Sequence, residues 1–199
     1  MSILGPLLCD LDGTIADTAP VIFASLRVTC AELGIELTPE MELSWSLGPP
    51  LNYCLARIGV GDDAMADAIA IFEQAHDERM DLIEPMPDAD TVIPELVAAG
   101  VRVGVATIKP QSAAEKVLAS IGLSEHVAVV HGRHDDLDPR TKTDLLRLAF
   151  AELPGPRPLY VGDHDNDELA AKEVGIPFAR YPDHSWGQIR AAVLDGSLR

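Results

Sequence analysis

The sequence is short of several things at once. Its 199 residues include three cysteines, Cys9, Cys30 and Cys54. They are too few and too scattered for a disulfide framework or a zinc knuckle, and read as reduced thiols. Basic side chains are scarce, with 15 Lys and Arg against 32 Asp and Glu, a formal charge of −17. That sign repels a phosphate backbone and argues against nucleic-acid binding through a basic face. No apolar run approaches the roughly 18–20 residues that span a bilayer, and no basic start precedes an apolar leader. Neither a membrane span nor a signal peptide is expected, so the expected setting is the cytoplasm. A Gly-x-Ser-x-Gly elbow and a Gly-x-x-x-x-Gly-Lys phosphate loop are both missing, and no histidine has the serine or cysteine context of a triad. No repeat with a period of 20–50 residues is found.

What is present is apolar material, 47% of the chain, enough for one sizeable core. Pro6-Leu7-Leu8-Cys9-Asp10 is a short apolar run ending in an acidic turn, Asp10-Leu11-Asp12-Gly13-Thr14, which reads as a buried strand entering a loop. Helical signals follow. Thr18 caps a helix with Pro20 in its first turn, and Gly34 stops it. Thr38-Pro39 opens a second helix, which Gly48-Pro49-Pro50 breaks, and a third runs from about 51 to 58. Asp62 or Asp63 then caps a longer one, on which Met65, Ile69, Phe72, His76 and Met80 recur at spacings of three and four. His76 on that apolar face reads as a core histidine. No strand pattern appears from Ile15 to Glu84, so this stretch is an all-helical insertion.

After Glu84-Pro85-Met86-Pro87 the pattern alternates. Helices are expected at about 91–99, 111–121, 142–152 and 168–174, and short apolar strands at 101–107, 127–130 and 158–162. Such alternation implies right-handed crossovers and a parallel sheet. The expected fold is α/β: a three-layer Rossmann-like core from residues 1–15 and 86–199, with a helical subdomain inserted at 16–85.

Open parallel sheets bind ligands at the carboxyl ends of their strands. That rim receives Asp10 and Asp12 after the first strand, Thr107 after the second, and Asp163 and Asp167 after the last. Lys142 heads the helix before that last strand. Two carboxylates 4 Å apart repel by about 4 kcal/mol at an effective dielectric near 20, so such a cluster calls for a cation. With oxygen-only ligands the fitting ion is Mg²⁺, which keeps waters free for a phosphorylated substrate. Asp163-His164-Asp165-Asn166-Asp167 looks like the opening of a calcium loop, but its sixth and twelfth places hold Glu168 and Val174 rather than glycine and glutamate. His131 and His134 form a weak candidate metal pair in what otherwise reads as a solvated loop. Cys9 should point into the core.

Asp10-Leu11-Asp12-Gly13-Thr14, Thr107, Lys142 and Gly162-Asp163-x-x-x-Asp167 resemble the four ordered motifs of the haloacid dehalogenase superfamily. The helical insertion is similar to the cap of its phosphoglycolate phosphatase-like branch, as are Gly48-Pro49-Pro50-Leu51 and Ala106-Thr107-Ile108-Lys109-Pro110. The resemblance implies a Mg²⁺-dependent phosphatase in which Asp10 attacks phosphorus. Asp12 is then the acid and base, and Thr107, Gly13 and Lys142 bind the phosphoryl group. It implies metal ligation by Asp10, Asp163 and the Asp12 carbonyl, with Asp167 in support. Ile108 departs from a commonly polar place and Thr143 from a common proline. Lys109 stands near a phosphate-binding position, which leaves open whether it shares the role given to Lys142.

Asp12 argues against dehalogenation, because a halide needs no proton. The lack of any lysine before Lys109 argues against phosphonate hydrolysis through a Schiff base on the cap. Hydrolysis of a small phosphomonoester is the leading expectation, with phosphoglycolate or a nucleoside monophosphate as candidates. A sugar phosphomutase and a non-catalytic binding module are the alternatives. Arg57 is the candidate for an anionic substrate tail, against the plainer reading of a solvent-facing arginine. The expected partner is a small phosphorylated metabolite, with no nucleic acid and no membrane, and the chain is expected to act as a monomer or homodimer.

Overall fold

The computed structural model describes residues 5–36, 43–135, 138–156 and 158–195. The chain divides into two compact units, Thr18–Glu84 and the residues on either side of that segment. The expected helix start at Thr38-Pro39 lies outside the described residues.

Strand β1 (Leu7–Cys9) is three residues long and wholly buried. A two-residue strand β2 (Ala16–Asp17) follows the acidic turn. Helix α1 (Ala19–Glu32) has Thr18 at its N-cap, proline in its first turn and Gly34 at φ 67° just past its end. That positive φ is why the helix stops where the sequence suggested. After a 3₁₀ turn at Ser44–Ser46 come α2 (Leu51–Arg57) and α3 (Met65–Asp77). Ala64, not Asp62 or Asp63, occupies the N-cap of α3. The backbone closes a turn there first, with Ala64 N–H donating to the Gly61 carbonyl. Met80 falls beyond α3, in a 3₁₀ turn at Met80–Leu82. Leu26, Leu43, Leu55, Val60, Ala68 and Phe72 form the core of this helical unit. Strand β3 (Glu84–Pro85) pairs with β2, so the segment read as purely helical is bracketed by two very short strands.

The rest of the chain builds the α/β unit. Helix α4 (Ala89–Ala98) leads to β4 (Val103–Pro110), α5 (Gln111–Ser120) and β5 (Val129–Arg133). Helix α6 (Lys142–Glu152), β6 (Leu159–Gly162), α7 (Asp165–Val174), β7 (Phe178–Arg180) and α8 (Trp186–Asp195) complete it. The five-stranded sheet has the order β5-β4-β1-β6-β7, with every pairing parallel. β1 is central, with Cys9 opposite Val105 on one side and Val161 on the other. Strands covered on both faces read as unbroken apolar runs, as β1, β4 and β6 do. One face buries Leu8, Ala106 and Tyr160 under Leu145, Leu146 and Ala149 of α6 and Ala170 and Ala171 of α7.

Within the α/β unit, β7 and α8 also went unread in the sequence. β7 is three residues at the sheet edge, only Ala179 of them fully buried, so it leaves no apolar run. α8 carries Trp186, Ile189 and Ala192 at spacings of three, a helical signal that was available. α7 starts at Asp165 rather than near 168. His164 and Asp167 form a capping box ahead of the acidic first turn, which suits the positive end of the helix dipole.

Candidate active site

The centre of the sheet sets the site. Cys9, the last residue of β1, is wholly buried and burial pushes its thiol up. Strand alternation turns the next side chain, Asp10, the other way. Its backbone N–H donates to the Val161 carbonyl at 2.8 Å, which holds the start of the loop against β6. The chain then folds tightly: Ile15 and Ala16 N–H groups return to the Leu11 carbonyl. Gly13 sits at φ 72°, where a Cβ would run into the Asp163 carboxylate. Thr14 donates its hydroxyl to Asp163 Oδ1 at 3.3 Å, and Trp186 Nε1 of α8 donates to the Thr14 carbonyl at 3.1 Å.

From the other side, β6 ends in Gly162 and Asp163, and a Cβ on Gly162 would collide with Asp167. Asp167 has no solvent exposure. Its Oδ2 accepts the His164 N–H at 3.0 Å, and its Oδ1 accepts the Tyr160 hydroxyl at 2.9 Å. Lys142, first residue of α6, brings Nζ to 2.6 Å from Asp10 Oδ1 and 2.9 Å from Asp167 Oδ1. Lys109 brings Nζ to 3.2 Å from Asp12. The two lysines therefore serve different carboxylates. Thr107 is buried, its Oγ1 accepting the Lys109 N–H at 3.2 Å. Arg180 of β7 donates to the Asp163 carbonyl at 3.1 Å and pairs with Asp165 and Glu168.

Asp10, Asp163 and Asp167 each offer a carboxylate oxygen, all within 4.8 Å of one another. Burial pushes Asp10 up to about 7; the Lys142 ammonium pulls the other way, while Asp167 and Asp12 add repulsion. Asp163 is raised for the same first reason, burial, with Asp167 adding to it. For Lys142 burial works against the charge, but Asp10 and Asp167 outweigh it and keep the ammonium charged. With all four carboxyls ionised, Asp10, Asp12, Asp163 and Asp167 exceed Lys109 and Lys142 by two negative charges, which burial resists by raising Asp10 and Asp163. A divalent ion bound by oxygen matches both that charge and that donor set.

Most of the residues expected at the site converge: Asp10, Asp12, Gly13, Thr107, Lys142, Asp163 and Asp167 gather at the carboxyl edge of β1, β4 and β6. Arg57 belongs to the helical unit, where it is exposed and its Cζ lies 4.5 Å from the centre of the Trp45 ring. His131 pairs with Glu152 and His134 with Asp135, so the two histidines turn to separate carboxylates. Asp165 faces Arg180 while Asp167 is buried behind Lys142, which ends the calcium-loop reading of that stretch. Tyr160, Trp186 and Arg180 escaped the sequence reading. Tyr160 offered one signal, a polar tip in an apolar strand; Arg180 offered none.

Fold and site together define a Rossmann-like α/β protein whose first strand delivers a buried carboxylate to a lysine and two further carboxylates. The chain belongs to the haloacid dehalogenase-like hydrolase family, which matches residues 7–181. It is 33% identical over 190 residues to the tyrosine-protein kinase PtkA of Mycobacterium tuberculosis, covering 94% of this chain and 64% of that protein's length. The solved structure of that kinase superposes with a TM-score of 0.77 at 30% identity, over 90% of this chain and 84% of that one. Phosphoglycolate phosphatase of Cereibacter sphaeroides is 31% identical over 183 residues, 87% of this chain and 83% of that protein. A predicted phosphatase from Clostridium acetobutylicum shares the fold, with a TM-score of 0.81 at 20% identity over 98% of this chain and all of the other.

Proposed function

We propose that the protein hydrolyses a small phosphomonoester, in the manner of a phosphoglycolate phosphatase, through a phosphoryl group carried on Asp10. The observation that carries this reading is the Asp10–Lys142 contact of 2.6 Å in a buried site that also holds Asp163 and Asp167. Asp10 lies at the end of a short, fully paired strand, so its carboxylate is held in place before substrate arrives. That pre-organisation favours attack on phosphorus, splitting hydrolysis into two displacements. Lys142 offsets negative charge on Asp10 and on the phosphoryl oxygens. Thr107 offers a hydroxyl to the same oxygens. Asp12, two residues on, gives a proton to the leaving oxygen and takes one from the attacking water.

Mg²⁺ would be held by the Asp10 and Asp163 carboxylates and the Asp12 carbonyl, and when bound it supplies the positive charge that lets two anions approach. The substrate is a small phosphorylated metabolite, phosphoglycolate being the first candidate and a nucleoside monophosphate the second. The helical unit acts as the cap, and Arg57 is its candidate for an anionic tail. The decisive assay is phosphate release from an aryl phosphate with and without Mg²⁺. Asp10→Asn is expected to lower kcat by about a thousandfold or more; unchanged turnover would remove Asp10 as nucleophile. The 33% identity to a tyrosine-protein kinase supports a second reading, phosphoryl transfer to tyrosine, which predicts labelling of a tyrosine peptide from ATP and no release from the aryl phosphate.

A further inference from the structure

Asp167 is the most enclosed of the site's acidic groups, with no solvent exposure, so protein groups must satisfy its oxygens. Oδ2 is taken up by the His164 N–H at 3.0 Å. Oδ1 faces Lys142 Nζ at 2.9 Å and receives the Tyr160 hydroxyl at 2.9 Å. Tyr160 lies in the middle of β6, fully buried, and its ring sits 6.1 Å from that of Phe178 and packs in the sheet core. Its hydroxyl also lies 3.3 Å from the Ala106 carbonyl. It has a single proton to give, and the shorter, charge-assisted contact is the one to Asp167. Two donors therefore converge on one oxygen. The tyrosine comes from a rigid strand, whereas the lysine comes on a flexible four-carbon stem.

We propose that Tyr160 is a positioning residue of the reaction: it fixes Asp167 Oδ1, and through it fixes Lys142 Nζ against Asp10. The carboxylate is shared between the two donors, so losing the hydroxyl frees Asp167 to turn and lets the ammonium drift from Asp10. Tyr160 touches neither substrate nor phosphoryl group; its effect falls on the step in which Lys142 offsets developing charge. This inference rests on the proposed phosphatase reading, and it adds a residue outside the four motifs.

The test is Tyr160→Phe, which keeps the ring and deletes only the donor. With turnover referred to the folded fraction, kcat is expected to fall about tenfold, in line with losses of supporting hydrogen bonds behind a catalytic group. KM should stay within about twofold, because an interaction made in the transition state is lost rather than uniform binding. In a double-mutant cycle, Tyr160→Phe added to Asp167→Asn should cost nothing further. A crystal structure of Tyr160→Phe should show the Lys142–Asp10 contact of 2.6 Å lengthened. Unchanged kcat, a loss expressed in KM, full additivity in the cycle, or an unmoved Lys142 would each overturn the proposal. If the wild type releases no phosphate from any monoester, the phosphatase reading falls, while the crystal structures still decide what Tyr160 holds.

Discussion

At the scale of single residues, two lysines with the same charge do different work because their surroundings differ. The two lysines are almost equally enclosed, 8% and 10% exposed, but Lys142 lies between two buried carboxylates while Lys109 meets a single Asp12 side chain that is 29% exposed. Removing Lys142 strands two buried carboxylates without compensation, whereas removing Lys109 leaves one carboxylate that water can reach. Lys142→Met should therefore cost about 3 kcal/mol in urea unfolding of the metal-free protein, and Lys109→Met less than about 1 kcal/mol. Equal losses would contradict the burial argument. Trp186 makes a second case. Its indole N–H reaches the Thr14 carbonyl, and Thr14 in turn holds Asp163. On the proposed phosphatase reading, Trp186→Phe should raise the half-saturating Mg²⁺ concentration several-fold, with the fold retained. Asp163 was legible in the sequence because it falls at a strand's carboxyl end, and Lys142 because it heads the helix that leads into that strand. The roles of Tyr160 and Trp186 were not, because the hydrogen bonds that define them join residues brought together only by folding.

At the scale of elements, what matters is where helices begin. Helix α6 starts at Lys142, as the pattern suggested, because Thr141 and Asp144 close a capping box on its first turn. Thr141 Oγ1 accepts the Asp144 N–H at 3.2 Å, and Asp144 Oδ2 accepts the Thr141 N–H at 2.9 Å. Upstream, Asp138 receives the His134 and Arg140 N–H groups and the Arg140 side chain, which holds the approach to the helix. The Thr141 backbone N–H holds Asp144 below the usual carboxylate range, with the Thr141 hydroxyl adding to it. A folded-state value lowered in this way stabilises the protein above the unfolded value near 4, and the gain is lost as pH falls through the folded value. Thr141→Ala should thus lower Tm by about 2–4 °C at pH 7. The gap to wild type should narrow as the scan is moved towards pH 3; a constant gap would sever the cap from the titration. α7 shows the opposite outcome for sequence reading. The sequence pattern puts its start near 168, three residues late, because histidine is an unfamiliar capping residue and four acidic or polar residues conceal the first turn.

At the scale of the whole molecule, an excess of 17 negative charges sits on a chain whose site itself carries two too many. Self-repulsion of that size is relieved by salt, since exposed charges are screened beyond about 8–10 Å at physiological ionic strength. Raising NaCl from about 20 to 300 mM should raise Tm by a few degrees, measured by calorimetry; a fall in Tm would mean that attractive pairs dominate. The sequence by itself determined the alternation of helix and strand, the parallel sheet, and the identity of the acidic residues at its rim. Those follow from periodicity and chain order, which neighbouring residues impose locally. It also left short pieces invisible, β2, β3 and β7, since two or three residues hold too little pattern to separate strand from loop. Only the tertiary structure decided which lysine meets which aspartate, and that a tyrosine in β6 and a tryptophan in α8 stand behind the site. The reason is physical: a hydrogen bond spanning 172 residues of chain, as between Trp186 and Thr14, depends on how layers stack. That stacking depends on the volume and shape of all the side chains between them, which no single stretch of sequence contains.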